Sequence, residues 1–197
     1  MTQKNSGFVT IGNPDDPVRV LDLRGWLPGT ETYDKRELWQ LAEGESLKWL
    51  VVHHTAGGYL KSGRPRDYSA REIARYHTAP GNEDGTGGLD WPGIGYHFLI
   101  HENGGMEYVG DILTIRYNVA RQNDKVIGIC LSGNFTRHWP PPKQLAATKK
   151  LLANLQYALG WAVPIMGHRE IALPGFGTSC PGDTFLEGPR WKDALLP

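Results

Sequence analysis

Gly167-His168-Arg169-Glu170 and Thr178-Ser179-Cys180-Pro181-Gly182 bracket a segment broken by Pro174, Gly175 and Gly177. Such a segment reads as an irregular loop. A loop can bring the histidine nitrogen and the cysteine sulfur near its two ends onto a common ion. Zinc takes four ligands, and a catalytic zinc takes three from the protein and leaves one position open. The third candidate lies far upstream, in Leu50-Val51-Val52-His53-His54-Thr55-Ala56, where an apolar run stops abruptly at histidine. His53, His168 and Cys180 are therefore expected to hold one zinc ion per chain. Taken singly, His168 and Cys180 read equally well as a core histidine and a free buried thiol. Three candidates together favour an open catalytic site over a closed structural one.

The elements around these residues indicate how they are held. Leu47 to Val52 is an apolar run of strand length, as expected for a strand covered on both faces. His53 stands at its carboxyl end, where open α/β sheets place their ligands. Ser69 and Glu72 form a capping box, with Tyr68 and Ile73 as the hydrophobic staple, and start a helix that Pro80-Gly81 ends. Tyr96 to Ile100 alternates, and Asn103-Gly104 supplies a hairpin turn returning through Met106 to Val109. Lys125 to Ser132 reads as another buried strand. Pro140-Pro141-Pro142 opens a long helix with Leu145, Thr148, Leu151, Leu152, Leu155 and Leu159 on its core face and Gly160 as its cap. A short helix over 189–195 ends the chain. Strands interleaved with helices predict an α/β fold: a single domain with a central mixed sheet flanked by helices.

Residues 1–45 read as an N-terminal extension packed on or leading into the domain, with a polar lead-in to about residue 15 and a short strand from Val18 to Leu23. Residues 46–197 read as the catalytic domain. The loop from Gly81 to Gly95 reads as a groove wall or as a solvated insertion.

The bulk composition excludes some functions. In 197 residues, Lys plus Arg equals Asp plus Glu at 21 each, so no global field favours nucleic acid or an anionic membrane. No run approaches the roughly 18 apolar residues of a membrane span. The first seven residues lack the apolar region of a secretory signal, which predicts a cytoplasmic location in the producing cell. Of the two cysteines, Cys130 sits in an apolar strand and reads as a core residue, so a disulfide to Cys180 is poorly motivated.

Four stretches in order carry a family likeness: Val51-Val52-His53-His54-Thr55-Ala56, Ile94 to Ile100, Ile127 to Phe135, and Gly167-His168-Arg169-Glu170 with Cys180-Pro181-Gly182. Together they resemble the zinc-dependent N-acetylmuramoyl-L-alanine amidases that share a fold with peptidoglycan recognition proteins and amidase-type phage lysozymes. The resemblance runs from about Leu47 to the C-terminus. It implies that His53, His168 and Cys180 bind zinc and that Tyr96 is the catalytic tyrosine. Thr178 falls where the phage lysozymes carry a catalytic lysine and the recognition proteins commonly a threonine. Asn118 falls where a histidine is usual, so it inherits a position expected to meet substrate. His54 reads as a core residue or one packed behind the ligands, with metal ligation and a weak substrate contact as its other readings. His97 reads as structural, and Glu170 as a general base or, as is commoner for such a residue, as the partner of a neighbouring arginine.

The reaction implied is hydrolysis of the amide between N-acetylmuramic acid and L-alanine in bacterial peptidoglycan. Zinc would lower the pKa of a bound water to about 7, and the Tyr96 hydroxyl would bond the oxyanion or pass a proton to the departing amine. The setting this predicts is a monomeric phage or prophage endolysin that acts on the wall after lysis. A non-catalytic peptidoglycan-binding module and a cytosolic muropeptide-recycling amidase are the competing readings.

Overall fold

A computed structural model of the chain describes residues 7–83 and 87–196. Its frame is one seven-stranded mixed sheet: β1 (Phe8–Ile11), β2 (Val18–Asp22), β3 (Trp49–His54), β4 (Phe98–Ile100), β5 (Met106–Tyr108), β6 (Val126–Leu131) and β7 (Ile165–Gly167). The spatial order is β1-β2-β5-β4-β6-β3-β7. The strands β4, β6, β3 and β7 run parallel, and the β4–β5 and β1–β2 pairs are antiparallel.

The strands β3, β4 and β6 are apolar because both faces are covered. On one face Leu50, Val52, Phe98, Ile127 and Ile129 meet the long helix α2 (Pro142–Leu159). On the other, Leu99 and Cys130 meet helix α1 (Ala70–Thr78). The α1 start is as expected: Ser69 Oγ accepts from Glu72 N and Glu72 accepts from Ser69 N at 3.0 Å. Gly160 closes α2 at φ +78°, a conformation glycine adopts without steric cost.

Several elements depart from expectation for identifiable reasons. The Tyr96 strand begins only at Phe98, because the His97 ring replaces a backbone acceptor: Gly128 N donates to His97 Nδ1 at 2.9 Å. Gln144 and Asn154, polar residues on a helix, are buried. Gln144 Nε2 donates to Ile100 O and Ser132 O, closing the ends of β4 and β6, while Asn154 Oδ1 accepts from Asn13 N. Leu145 and Leu159 are only partly buried. The helix expected over 189–195 is one 3-10 turn, Trp191–Ala194, held by a buried Trp191 whose ring meets Phe185 edge-on at 4.6 Å. Phe8–Ile11 is a strand rather than lead-in, and Val18 and Val20 lie in the main core. The first six residues of the expected lead-in lie outside the described residues.

The β4–β5 hairpin is tied to the segment before α1 by His101. Its Nδ1 lies 2.9 Å from Asp67 Oδ1, and its Nε2 lies 3.2 Å from Glu107 Oε2, where the charges meet without an aligned hydrogen bond. Burial lowers the His101 pKa, but the two carboxylates outweigh it and raise the group from 6.5 to about 9. A raised histidine stabilises the fold fully below its unfolded pKa and loses that contribution as pH rises through the folded value. His101→Gln is therefore expected to lose up to about 3 kcal/mol near pH 6, with the gap to wild type closing by about pH 10. Urea midpoints measured across that range check it, and a pH-independent gap would contradict it.

Candidate metal centre and groove

Strand register brings the three expected ligands together. Val52 of β3 lies opposite Gly167 of β7, so the next residues along these parallel strands, His53 and His168, stand side by side with ring centroids 4.8 Å apart. His168 opens the four-residue helix α3 (His168–Ile171), so the segment expected as loop begins with one helical turn. Arg169 N donates to Cys180 O at 2.8 Å, folding the rest of the loop back and returning the cysteine to the same place. The three ligand atoms lie within 4.8 Å of one another. Cys180 Sγ is 3.6 Å from His53 Nδ1, matching the roughly 3.6 Å edge that a tetrahedral zinc imposes between nitrogen and sulfur ligands. Both cysteines are free thiols.

The centre lies over one face of the sheet. His53 opposes Cys130 of β6 and points to the α1 side, whereas His54 points to the α2 side. There His54 Nδ1 accepts from Phe135 N at 3.1 Å and its ring lies 6.0 Å from that of Phe135. Its backbone N–H donates to Cys180 Sγ at 3.4 Å, so His54 serves the centre through its main chain.

Asn118, at the position expected to meet substrate, lines the pocket beside His168 and is also tied into the fold. It is only 9% exposed, with its side-chain Nδ2 donating to Gly95 O and Arg116 O, both at 3.0 Å. Carbonyls only accept, so the amide orientation is fixed and Oδ1 faces His53 Nε2 at 3.1 Å. His53 must then carry its proton on Nε2, leaving the Nδ1 lone pair directed toward Cys180. Such outer hydrogen bonds set the tautomer of a metal-binding histidine, and losing one typically costs about 10–100-fold in metal affinity. β6 admits this arrangement because residue 128 is glycine: a Cβ there would come within 2.8 Å of Asn118 Oδ1. Asn118→Leu is accordingly expected to weaken zinc binding by about 10–100-fold, and Asn118→Asp to recover only part of it, because the acceptor for His53 returns while a second oxygen faces the Gly95 and Arg116 carbonyls. Competition with a chromogenic chelator reads both. Unaltered affinity in the leucine variant would sever His53 from Asn118.

Electrostatics suit neutral histidines around a cation. Burial, then the neighbouring His168, pushes His53 well below 6.5, and burial lowers His168. Burial pushes the Cys180 thiol up to about 12, partly offset by the His54 N–H. A thiolate at this position needs a cation beside it.

Tyr96 stands next to the cluster, its ring 5.2 Å from that of His53. Burial, then the charges of Cys130 and Cys180, raises its phenol well above 10, so it remains a hydrogen-bond donor. His77 carried no motif, yet it lies 5.6 Å from Tyr96 and accepts from Gly95 N at 3.0 Å. Its place on the buried stripe of α1 was the only available signal. Thr178 Oγ1 accepts from Cys180 N at 3.1 Å and so shapes the turn that presents the cysteine. Glu170 pairs with Lys192 at 2.6 Å and accepts from Gly167 N, so its partner is a lysine and not an arginine.

A groove passes over the centre. A pocket of about 590 Å³ lined by Thr55, Tyr68, Tyr76, His77, Trp91 and Tyr96 lies on one side. A second of about 500 Å³, lined by Trp91, Tyr117, Asn118, His168 and Phe176 among others, lies on the other. The loop from Gly81 to Gly95 thus supplies a groove wall through Trp91. A separate apolar pocket of about 420 Å³ at Leu38, Leu41 and Leu155 lies on the α2 face and contains none of these groups.

Comparison with known proteins identifies the family of the chain and the likeness of its fold. The family model described as N-acetylmuramoyl-L-alanine amidase matches residues 43–183. Peptidoglycan recognition protein 1 of Bos taurus is 31% identical over 144 residues, covering 71% of this chain and 68% of the relative. Among solved structures, an N-acetylmuramoyl-L-alanine amidase from Clostridium intestinale superposes with a TM-score of 0.59 at 19% identity, over 82% of this chain and 89% of that one. An endolysin from a Thermus scotoductus bacteriophage gives 0.59 at 24% identity, over 87% and 98%.

Proposed function

Since the chain belongs to the N-acetylmuramoyl-L-alanine amidase family, we propose that it is a zinc amidase cutting the bond between N-acetylmuramic acid and L-alanine in peptidoglycan. The observation that carries this reading is the convergence of His53, His168 and Cys180 within 4.8 Å, beside Tyr96 and in a groove. Zinc bound there supplies Lewis acidity and a water whose pKa is lowered to about 7. The chain's own groups do the rest. Asn118 keeps His53 Nδ1 free of its proton, and the His54 N–H supports the cysteine sulfur. Tyr96, held protonated, donates to the oxygen of the scissile carbonyl as negative charge develops on it. The Thr178 hydroxyl oxygen accepts from Cys180 N, which leaves its proton free to serve as a second, weaker donor.

The biological setting we infer is a phage or prophage endolysin, in keeping with the likeness to a phage enzyme of that kind. No helix among the described residues is long and apolar enough to cross a membrane. The decisive experiment incubates the protein with purified peptidoglycan and scores new L-alanine amino termini. These are expected to appear, to vanish with a chelator and to return with zinc. Zinc-loaded protein that binds walls of several chemotypes but releases none would be a binding module instead. Clearing of intact walls, without preference for soluble fragments, separates an endolysin from a recycling enzyme.

A further inference from the structure

The segment from Gly29 to Tyr33 lies outside the part of the chain that the family model matches, yet it is built into the groove wall. Glu31 N donates to Pro92 O at 2.8 Å and Tyr33 OH to Gly93 O at 2.7 Å. The Glu31 carboxylate pairs at 2.6 Å with Arg116, which is only 2% exposed. Gly29, at φ +131°, fits so closely that a Cβ would lie 2.4 Å from Pro92 O. This segment is therefore fixed against the loop that carries Trp91.

Its outward side carries Thr30 and Thr32, whose hydroxyls are 2.9 Å apart. They line a shallow pocket of about 610 Å³ completed by Thr78, Asp90, Trp91 and Tyr117. Trp91 and Tyr117 also line the pocket that holds His168 and Asn118, so the two spaces share a wall. The groove thus continues past the metal centre onto the extension.

The lining selects a ligand class. It offers three threonine hydroxyls, one carboxylate and two aromatic rings, and no cationic side chain. A peptide stem brings carboxylates, which Asp90 repels and nothing there neutralises. An N-acetylated sugar is uncharged, carries hydroxyls that threonine and aspartate can bond, and has apolar C–H faces that suit aromatic rings. We propose that Thr30, Thr32, Asp90 and the outer edge of Trp91 form a subsite for the glycan strand flanking the muramic acid that is cut. The proposal rests on the amidase reading for its substrate, although the pocket itself does not depend on it.

The test uses the full-length, zinc-loaded protein and the T30A/T32A double variant, with D90N as a second change. Both threonines are exposed, so folding is not at stake. The probe is a peptide-free N-acetylglucosamine tetrasaccharide, titrated by calorimetry. Wild type is expected to bind it, and each variant to bind it about fivefold or more weakly, in proportion to the hydrogen bonds lost. In parallel, the ratio of kcat/KM on polymeric peptidoglycan to that on a single-sugar muramoyl peptide should fall by a similar factor. Absence of tetrasaccharide binding in wild type, or equal binding in wild type and variants, would overturn the subsite. A loss on the single-sugar substrate as large as that on the polymer would overturn it too. Tetrasaccharide binding that depends on these threonines, in a protein that releases no alanine amino termini, would sustain the subsite and remove the amidase.

Discussion

Cys180→Ala is expected to give a folded protein that neither retains zinc through dialysis nor cuts peptidoglycan, with activity down by more than about 10²-fold. The reason lies in the donor set. With the sulfur gone, two neutral imidazoles remain, and two ligands do not hold zinc against dialysis. No other histidine, cysteine, aspartate or glutamate is grouped with them among the described residues. The fold should survive, since the change removes one small, partly buried group and costs on the order of 1 kcal/mol. Cys180→Asp offers an oxygen in the same turn, held by the same Thr178 and Arg169 contacts, and should recover part of the metal binding. Metal content after dialysis and the melting temperature separate ligand loss from unfolding. A Cys180→Ala protein with full zinc content would remove the cysteine from the centre.

The candidate ligands, which the fold brings together, are legible in the sequence because each sits beside a strong local signal. His53 ends an apolar run that has to be a buried strand, and His168 and Cys180 flank a segment too rich in glycine and proline to extend a helix. What their sequence positions could not reveal was the register that sets Val52 opposite Gly167, which is a tertiary property of the sheet. Asn118 gives no sequence sign of its bond to His53 for a related reason. Its role depends on its amide being pinned by Gly95 O and Arg116 O, two carbonyls supplied by the fold and not by a motif. Polar residues with buried tasks escape in the same way: Gln144 and Asn154 lie on a helix, where pattern alone puts amides in water, yet Gln144 satisfies a carbonyl at the end of β4 and Asn154 a backbone N–H in the β1–β2 turn. The extension was hardest to read. Its strands are four and five residues long, and its link to the site runs through Glu31, a residue at φ +55° whose ion pair with Arg116 spans 85 positions.

Tyr96→Phe tests the chemistry apart from the metal. The phenol is expected to act only as a donor, because burial and two neighbouring cysteines hold its pKa well above 10. It therefore stays protonated throughout neutral pH, and the alkaline fall of activity should not be its titration. Removing the hydroxyl keeps the ring against His53 and His77, so groove shape and zinc affinity should not change. An interaction made mainly in the transition state lowers kcat and kcat/KM together and leaves KM nearly unaltered. Loss of one oxyanion donor is typically worth about 10²–10³ in rate, and that is the expected drop in kcat. A raised KM with unchanged kcat would mean that the ring only helps to seat substrate. A variant as active as wild type would return Tyr96 to the groove wall and move the donor role to the Thr178 hydroxyl, where Thr178→Val would then be the change to make.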